Sequence, residues 1–297
     1  MKRSLYLIQN MMIFMEECLV QQPSKDDVFT LNPYYVRDPE TFSSLKKEIS
    51  RLYPNLAFLP FEECKVYSWN IIYMSSYFPE EHLNEIAAFD HTEIILVEDG
   101  LFDYVEYEKG SYAFYRGKQL YVFRPEIASG SAKATNLHKL TIDKSIVHSF
   151  EELYSDSLRA LRLYNSKTPV LFTTPLEEDF SSEETLTDRI MTFLYNRYKI
   201  KHLILKKHPR DHFHYNSPYI KITECPQNIP GQFLDEIFDG MKIFLFPSTV
   251  SFMCGELSDI TFLNVMPDNP EYAKAFSQVM NSNILSGLKT VKIEILP

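Results

Sequence analysis

The chain has 297 residues, of which 45% are hydrophobic and 24% are charged, so it is long enough for two domains that each bury a core. Its formal net charge of -10 argues against a nucleic-acid-binding protein with a broad basic surface. The four cysteines at positions 18, 64, 225 and 254 lack CxxC spacing, which favours reduced thiols in a cytoplasmic protein over a zinc site. No glycine-rich phosphate-binding motif is present.

The first 20 residues predict the start of an α/β fold rather than a signal peptide. Ser4 to Ile8 is a short apolar run typical of a buried strand, and Met11 to Val20 is typical of a helix. A polar pair at 9–10 and an acidic pair at 16–17 interrupt the apolar stretch, and no small-residue cleavage site closes it. No run of 18 apolar residues occurs in the chain. Peripheral attachment to a membrane stays open.

The rest of the chain alternates between strand and helix patterns, which predicts two α/β domains, residues 1–160 and 161–297. Strands are predicted at 27–31, 56–59, 94–97, 169–172, 200–205, 219–222, 241–246 and 261–265. Helices are predicted at 38–52, 69–78, 149–163, 186–198, 230–238 and 272–280. The aromatic stretch 110–125 is interpreted as a hairpin or an acceptor-facing loop, and 128–135 as a loop.

An acidic pair follows the strand predicted at 94–97. Glu98 and Asp99 come directly after this apolar run, and Gly100 allows a tight turn. Because adjacent strand residues point in opposite directions, one carboxylate is expected to enter a cleft while the other faces its own domain. A carboxylate partly removed from water has a raised pKa and can act as a general base. An ordinary acidic turn is the alternative interpretation.

A cationic cluster follows the strand predicted at 200–205. Lys206, Lys207 and Arg210 surround His208 and Pro209, and the proline stops the strand. In an open α/β sheet, ligands bind just outside the carboxyl ends of the strands. The sequence therefore predicts three permanent cations and an imidazole in an anion site of the kind that binds phosphate. A solvated basic strand end is the alternative.

A hydroxyl cluster lies between the strand at 241–246 and a helix expected to begin near residue 250. Ser248 and Thr249 would bind a phosphate through their hydroxyls and the helix N-terminus, or simply cap the helix. The acidic pair Glu98–Asp99 thus lies in the first half of the chain, and the cationic and hydroxyl clusters lie in the second. This division predicts two facing α/β domains, of which one supplies a base and the other holds an anionic leaving group.

These motifs together resemble those of the bacterial lipooligosaccharide and capsule sialyltransferases. Glu98-Asp99-Gly100 resembles their acidic-acidic-Gly motif, His208-Pro209 their His-Pro motif and Ser248-Thr249 their paired hydroxyl motif. Thr173-Thr174-Pro175-Leu176 resembles the segment that opens their nucleotide-binding domain. Order and spacing agree over residues 90–265.

The resemblance implies a GT-B-like pair of Rossmann-like domains, with an acceptor-binding domain at 1–160 and a nucleotide-sugar-binding domain at 161–297. It implies an inverting glycosyltransferase that moves sialic acid from CMP-sialic acid to a glycan hydroxyl, with a galactoside as the expected acceptor. Glu98 would be the catalytic base, paired with Asp99, and His208 would assist departure of the CMP phosphate. The implied donor-binding residues are Lys206, Pro209, Ser248, Thr249, Thr174 and Gln232.

One position departs from the family pattern. The family often carries a glutamate for the ribose near an Ile-Pro pair, whereas Ile229-Pro230 is followed here by Gly231 and Gln232. Gln232 keeps open a related GT-B transferase that uses another nucleotide sugar. A nucleotide- or glycan-binding protein without turnover is a third reading.

Neither a metal nor a cofactor is expected for this reaction. His208, His212 and His214 lie near one another in sequence, but no DxD pair accompanies them. The expected partners are a nucleotide sugar and a glycan acceptor, without nucleic acid. Homodimer formation and attachment to the inner face of the membrane stay open.

Overall fold

The computed structural model divides the chain into two compact units, Met1–Leu153 and Tyr154–Pro297. The residues that it describes are 3–78, 80–99, 103, 112–128, 135–161, 168–174, 183–208, 211–226, 229–234, 240–246, 259–264, 277 and 291–295. The predicted roles of residues 1–160 and 161–297 as acceptor and donor domains stay predictions.

The first unit is built on a parallel sheet in which seven strands are described, in the order β3-β2-β1-β4-β5-β6-β7. The strands are β1 (Ser4–Ile8), β2 (Val28–Leu31), β3 (Ala57–Phe58), β4 (Ser68–Ser75), β5 (Asp90–Val97), β6 (Gln119–Val122) and β7 (Asn136–Lys139). All the neighbouring pairs are parallel. The central strands are buried on both faces, which is why their sequences are continuous apolar runs.

Seven helices are described in the part that runs from the amino terminus to residue 161. They are α1 (Met11–Val20), α2 (Pro39–Leu52), α3 (Phe61–Cys64), α4 (Glu80–Ala87), α5 (Tyr112–Tyr115), α6 (Lys144–Glu152) and α7 (Ser155–Leu161), the last of which belongs to the second unit. A 3-10 turn covers Pro125–Ile127. The side chain of Asn10 begins α1 by accepting a hydrogen bond from the backbone nitrogen of Ile13 at 3.0 Å. Phe14 of α1 packs against Phe150 of α6.

The second unit repeats the same topology. Its six described strands are all parallel and run in the order β10-β9-β8-β11-β12-β13. They are β8 (Val170–Phe172), β9 (His202–Lys206), β10 (Lys221–Glu224), β11 (Lys242–Leu245), β12 (Asp259–Asn264) and β13 (Val291–Ile295). Helix α8 (Glu183–Tyr198) covers the sheet through Ile190 and Leu194, and a 3-10 turn spans Gly231–Leu234.

Most predicted elements are present, but three predictions between residues 69 and 163 differ from the structure. Residues 69–78 do not form a helix, because Ser68–Ser75 is β4, between β1 and β5. For the stretch 110–125 the hairpin interpretation is wrong, because Gln119–Val122 pairs in parallel with β5, and the acceptor-facing loop stays a prediction. The helix predicted at 149–163 is two helices, α6 and α7.

The remaining differences are short elements that were not predicted, among them helices α3, α4 and α5, and one element of a different type. The short helix predicted at 230–238 is a 3-10 turn over its described residues. Strands β7 and β13 were not predicted. The helix predicted at 272–280 lies outside the described residues except for Ser277, which is helical.

Two observations concern the cellular environment. Cys18, Cys64 and Cys225 are buried and unpaired, whereas Cys254 lies outside the described residues. Within the described part of the chain, no helix combines the length and the apolar character that crossing a bilayer requires.

Candidate active site

Both sheets have the strand order of a Rossmann fold, in which the chain reverses direction across the sheet beside the first strand. In the first unit this switch point lies between β1 and β4, and in the second between β8 and β11. Ligands of such sheets bind outside the carboxyl ends of the strands at this point. Gln9 follows β1 and Glu98 follows β5, whereas Thr173 follows β8. Of the predicted site residues, Glu98 therefore lies at the ligand-binding edge of the first sheet, and Thr174, which follows Thr173, lies at that of the second.

Glu98 and Asp99 have different environments, as the alternation of a strand predicts. Glu98 is 2% exposed, and its Oε2 accepts a hydrogen bond from the backbone nitrogen of Phe123 at 2.9 Å. Asp99 is only partly buried, and its Oδ1 accepts a hydrogen bond from Nε2 of Gln9 at 2.9 Å. Glu98 therefore faces its own unit, and Asp99 is the more accessible carboxylate.

The turn that carries Asp99 is fixed by a second buried carboxylate, Asp103. Its Oδ2 accepts hydrogen bonds from the backbone nitrogen of Asp99 at 2.8 Å and from the hydroxyl of Ser76 at 2.7 Å. Ser76 follows β4, and its own backbone nitrogen donates to the carbonyl of Val97 at 2.7 Å. The end of β4 thereby holds the segment that follows β5.

A further carboxyl group, Glu16 of α1, lies close to these acids. It is 3% exposed, and among the described residues its Oε2 has no hydrogen-bond partner. Burial, followed by the negative charges of Glu98, Asp99 and Asp103, raises the pKa of Glu16 well above its ordinary value. Burial and these charges therefore favour the neutral form of Glu16, which limits the negative charge that accumulates at this edge.

In the second unit, Lys206 ends β9 with its side chain 3% exposed. Its Nζ donates a hydrogen bond to the carbonyl of Lys207 at 2.9 Å. Burial lowers the pKa of Lys206 to about 8, and the opposing effect of Cys225 is smaller. The lowered pKa makes the charge of Lys206 dependent on pH in the mildly basic range, whereas the sequence predicts a permanent cation there.

His208 is held by its backbone beside the end of β8. Its backbone nitrogen donates to Oγ1 of Thr173 at 3.0 Å, and its carbonyl accepts from the backbone nitrogen of Asp211 at 2.9 Å. The backbone nitrogen of Thr173 donates to the carbonyl of Lys206 at 3.0 Å. Thr173 thus contacts two residues of the predicted anion site, Lys206 and His208. His208 itself is partly exposed.

The other predicted donor-binding residues are described only in part. Thr174 follows Thr173 and is partly buried, and the backbone of Gln232 lies in the 3-10 turn Gly231–Leu234. Pro209, Ser248 and Thr249 lie outside the described residues. Across the described ranges, no group of three histidine, cysteine or acidic side chains is arranged to hold a metal ion.

Four residues of these edges were missed by the sequence reasoning: Gln9, Ser76, Asp103 and Asp211. Gln9 and Ser76 each directly follow a strand that borders the switch point, which is the signal that could have identified them. Asp103 and Asp211 carry no such signal, because their partners are distant in sequence or belong to the backbone.

The GT-B domain of a sialyltransferase from Photobacterium damselae superposes on the chain with a TM-score of 0.51 and 13% identity, over 99% of this chain and 100% of that one. A glycosyltransferase from Rickettsia africae ESF-5 gives a TM-score of 0.46 at 10% identity, over 97% and 89% of the two chains, a likeness too weak to define a fold. Neither a protein-family model nor a curated protein matches the chain. The strand orders and the first likeness confirm the predicted GT-B fold of two Rossmann-like units.

Proposed function

We propose that the chain is an inverting glycosyltransferase that moves sialic acid from CMP-sialic acid to a glycan hydroxyl, with a galactoside as the expected acceptor. One observation carries the proposal. The acidic pair Glu98–Asp99 follows β5, and the basic pair Lys206 and His208 lies at the end of β9, each at the ligand-binding edge of a Rossmann-like sheet. The GT-B fold and the motif resemblance support the same reaction class.

The acidic pair supplies the base. Asp99 is partly exposed and is oriented by the amide of Gln9, which supports Asp99 as the carboxylate that meets the acceptor hydroxyl. Glu98, the base implied by the motif resemblance, is 2% exposed and accepts from the backbone of Phe123. The position of Glu98 supports a role in holding the segment that carries Asp99. Glu98→Gln and Asp99→Asn distinguish this role from that of the base.

The basic pair stabilises the leaving group. Cleavage of the donor leaves a negative charge on a phosphate oxygen of CMP, and a nearby ammonium or imidazolium lowers the energy of that charge. His208 is partly exposed and assists departure of the phosphate, whereas the buried Lys206 adds positive charge at the end of β9. Pro209, Thr174, Ser248, Thr249 and Gln232 complete the proposed donor site.

The proposed reaction balances without a metal or a cofactor. The acceptor oxygen forms a bond to the anomeric carbon of sialic acid, and the bond from that carbon to the phosphate oxygen breaks. The base takes the hydroxyl proton, and CMP leaves with the bonding electrons. A single displacement of this kind inverts the anomeric centre.

A second candidate is a GT-B transferase with another nucleotide sugar. It is favoured by Gln232, which stands where the resembled family often carries a glutamate for the ribose. Preference for a uridine nucleotide over CMP would identify it. Binding of CMP-sialic acid without turnover on any acceptor would identify a binding protein.

The first test is release of CMP from CMP-sialic acid with a panel of galactosides. We expect Asp99→Asn and His208→Ala to lower kcat by about 10²–10⁴, the range for loss of a general acid or base. If Glu98 supports the turn rather than acting as the base, Glu98→Gln lowers kcat less than Asp99→Asn does.

The matched control is His212→Ala, because His212 is exposed on the same segment as His208. It should keep native turnover. A folded native chain that releases no CMP, yet binds another nucleotide, would reject CMP-sialic acid as the donor. Equal activity of the native chain and Asp99→Asn, together with loss in Glu98→Gln, would assign the base to Glu98.

The proposal includes a nucleotide sugar and a glycan acceptor as partners. Location in the cytoplasm, attachment at the inner face of the membrane and formation of a homodimer stay predictions. Sedimentation of the purified chain with and without anionic vesicles would test both the dimer and the attachment.

A further inference from the structure

The segment after β9 contains a buried carboxylate that the proposed reaction does not use. Asp211 is 0% exposed, although it lies only three residues after His208. Its Oδ1 accepts a hydrogen bond from the backbone nitrogen of Phe213 at 3.1 Å, and its Oδ2 accepts from the hydroxyl of Tyr215 at 3.0 Å. Hydrogen-bond donors stabilise the ionised form of a buried carboxylate, and Asp211 has donors on both of its oxygens.

Asp211 also accepts a hydrogen bond from the side chain of Thr173. Burial raises the pKa of Asp211, and the hydrogen bonds from Thr173, Tyr215 and Phe213 and the charge of Lys207 oppose that rise. The carboxylate therefore connects the end of β8 to the segment that follows β9.

The hydroxyl of Thr173 has a defined direction. It accepts from the backbone nitrogen of His208, so its single proton is left for Asp211. The result is a chain of hydrogen bonds from His208 through Thr173 to Asp211. A second link closes the loop, since the backbone nitrogen of Asp211 donates to the carbonyl of His208.

We propose that Thr173 and Asp211 are positioning residues, which fix the place of the His208 imidazole through its backbone without contacting the substrate. The inference rests on the proposed function for the role of His208. Pro209 follows His208 and has no N–H to donate, so the segment depends more on the bonds made by Thr173 and Asp211.

The sharpest variant is Thr173→Val, which keeps the size and branching of the side chain but removes the hydroxyl. We expect kcat to fall about 10- to 100-fold, because a displacement of about 1 Å of a catalytic group has effects of this size. The KM for the donor should change much less. Thr173→Ser retains the hydroxyl and should recover most of the native kcat.

Two further variants separate positioning from stability. Tyr215→Phe removes one donor to Asp211 without touching His208, so its loss of kcat should be smaller than that of Thr173→Val. Thr192→Val makes the same substitution at an exposed position of α8 and should keep native kcat. Melting temperatures, measured on all variants, identify any that are simply unfolded at the assay temperature.

A readout that does not depend on turnover is hydrogen exchange at the amide of His208. Thr173→Val should exchange this amide faster than the native chain, and Thr173→Ser should not. Native kcat in a folded Thr173→Val, or equal losses in Thr173→Val and Thr173→Ser, would overturn the positioning role. If the native chain has no activity, the proposed function fails. In that case, unchanged exchange at His208 in Thr173→Val would overturn this inference as well.

Discussion

Lys206 combines two demands that are usually separate, since it is buried at the end of a strand and yet proposed to hold an anion. Its side chain is 3% exposed, and its Nζ has the carbonyl of Lys207 as a hydrogen-bond acceptor. Burial disfavours the charged form and lowers its pKa to about 8. The folded state therefore holds the proton of Lys206 less tightly than the unfolded chain does.

This difference predicts a pH-dependent stability. The destabilising effect of the buried charge is fully present below about pH 8 and fades as the pH rises toward the ordinary lysine value of 10.5. Lys206→Met removes the charge, so we expect it to gain stability relative to the native chain. The gain should be about 2 kcal/mol greater at pH 7 than at pH 9.5. Urea unfolding at the two pH values measures it.

An exposed lysine provides the matched control. Lys221 lies at the start of β10 and is exposed, so Lys221→Met should change stability by the same small amount at both pH values. A gain in Lys206→Met that does not depend on pH would contradict the lowered pKa of Lys206. The effect would then come from packing of the methionine alone.

Helix α1 is buried on nearly every side, although it contains two adjacent acidic residues. Glu17 is 0% exposed, and neither of its carboxyl oxygens has a hydrogen-bond partner among the described residues. Burial raises its pKa well above the ordinary value. The helix therefore contains a group that destabilises the fold to an extent that increases with pH.

For Glu17 the pH dependence has the opposite direction to that of Lys206. Above about pH 4.5 the unfolded chain releases the proton while the folded chain keeps it, which destabilises the fold by about 1.4 kcal/mol per pH unit until the folded-state pKa is reached. Glu17→Met should therefore gain stability as the pH rises from 5 to 7. Denaturant unfolding across this range measures the gain.

Glu17→Gln separates ionisation from polarity. The amide cannot ionise, so this variant should show the same increase with pH as Glu17→Met, from a lower starting stability, because an unpaired polar group remains buried. If neither variant differs from the native chain in its pH dependence, Glu17 has an ordinary pKa in the folded state.

Helices and strands could be predicted from the sequence where their residue pattern is local. Strand β1 and helix α1 were predicted with their observed bounds, because a short apolar run and a helix with a polar start are local patterns. Strand β4 was mistaken for a helix because its residues are buried on both faces, so they do not alternate. Its Ile71, Ile72 and Tyr73 favour a strand by residue type, which was the better indicator.

The candidate site divides in the same way. Asp99 and His208 could be proposed as site residues from the sequence, because each lies in a charged run just after a predicted strand. The residues that fix them were not, because the contact of Thr173 with His208 joins segments that are distant in sequence. Such contacts depend on which strands become neighbours, and this is set by the packing of the whole sheet.

At the scale of the whole molecule, the two units should respond differently to a nucleotide. The proposed donor site uses residues of the second unit, so CMP is expected to slow hydrogen exchange around 173–174 and 206–208 and not around 98–99. At about 100 times its dissociation constant, the ligand should stabilise the unit that binds it by about 3 kcal/mol. Exchange measured by mass spectrometry with and without CMP tests this.

The only tryptophan in the sequence is a convenient reporter of the first unit. Trp69 lies in β4, is 2% exposed and donates its Nε1 hydrogen to the carbonyl of Cys64 at 3.0 Å. Its fluorescence should not change when CMP saturates the chain. Slower exchange around 98–99 with no change at 206–208 would contradict a donor site in the second unit.

The same arrangement of groups occurs at both ligand-binding edges. In each unit, a hydroxyl that directly follows a neighbouring strand contacts a buried aspartate beyond the functional residue: Ser76 contacts Asp103, and Thr173 contacts Asp211. These two contacts hold the segments that follow the strands, and they do not involve the side chains that would meet a ligand. Substitution of the residues between them would leave these two contacts in place. A new donor or acceptor preference would then need only a few substitutions and no rebuilding of the fold.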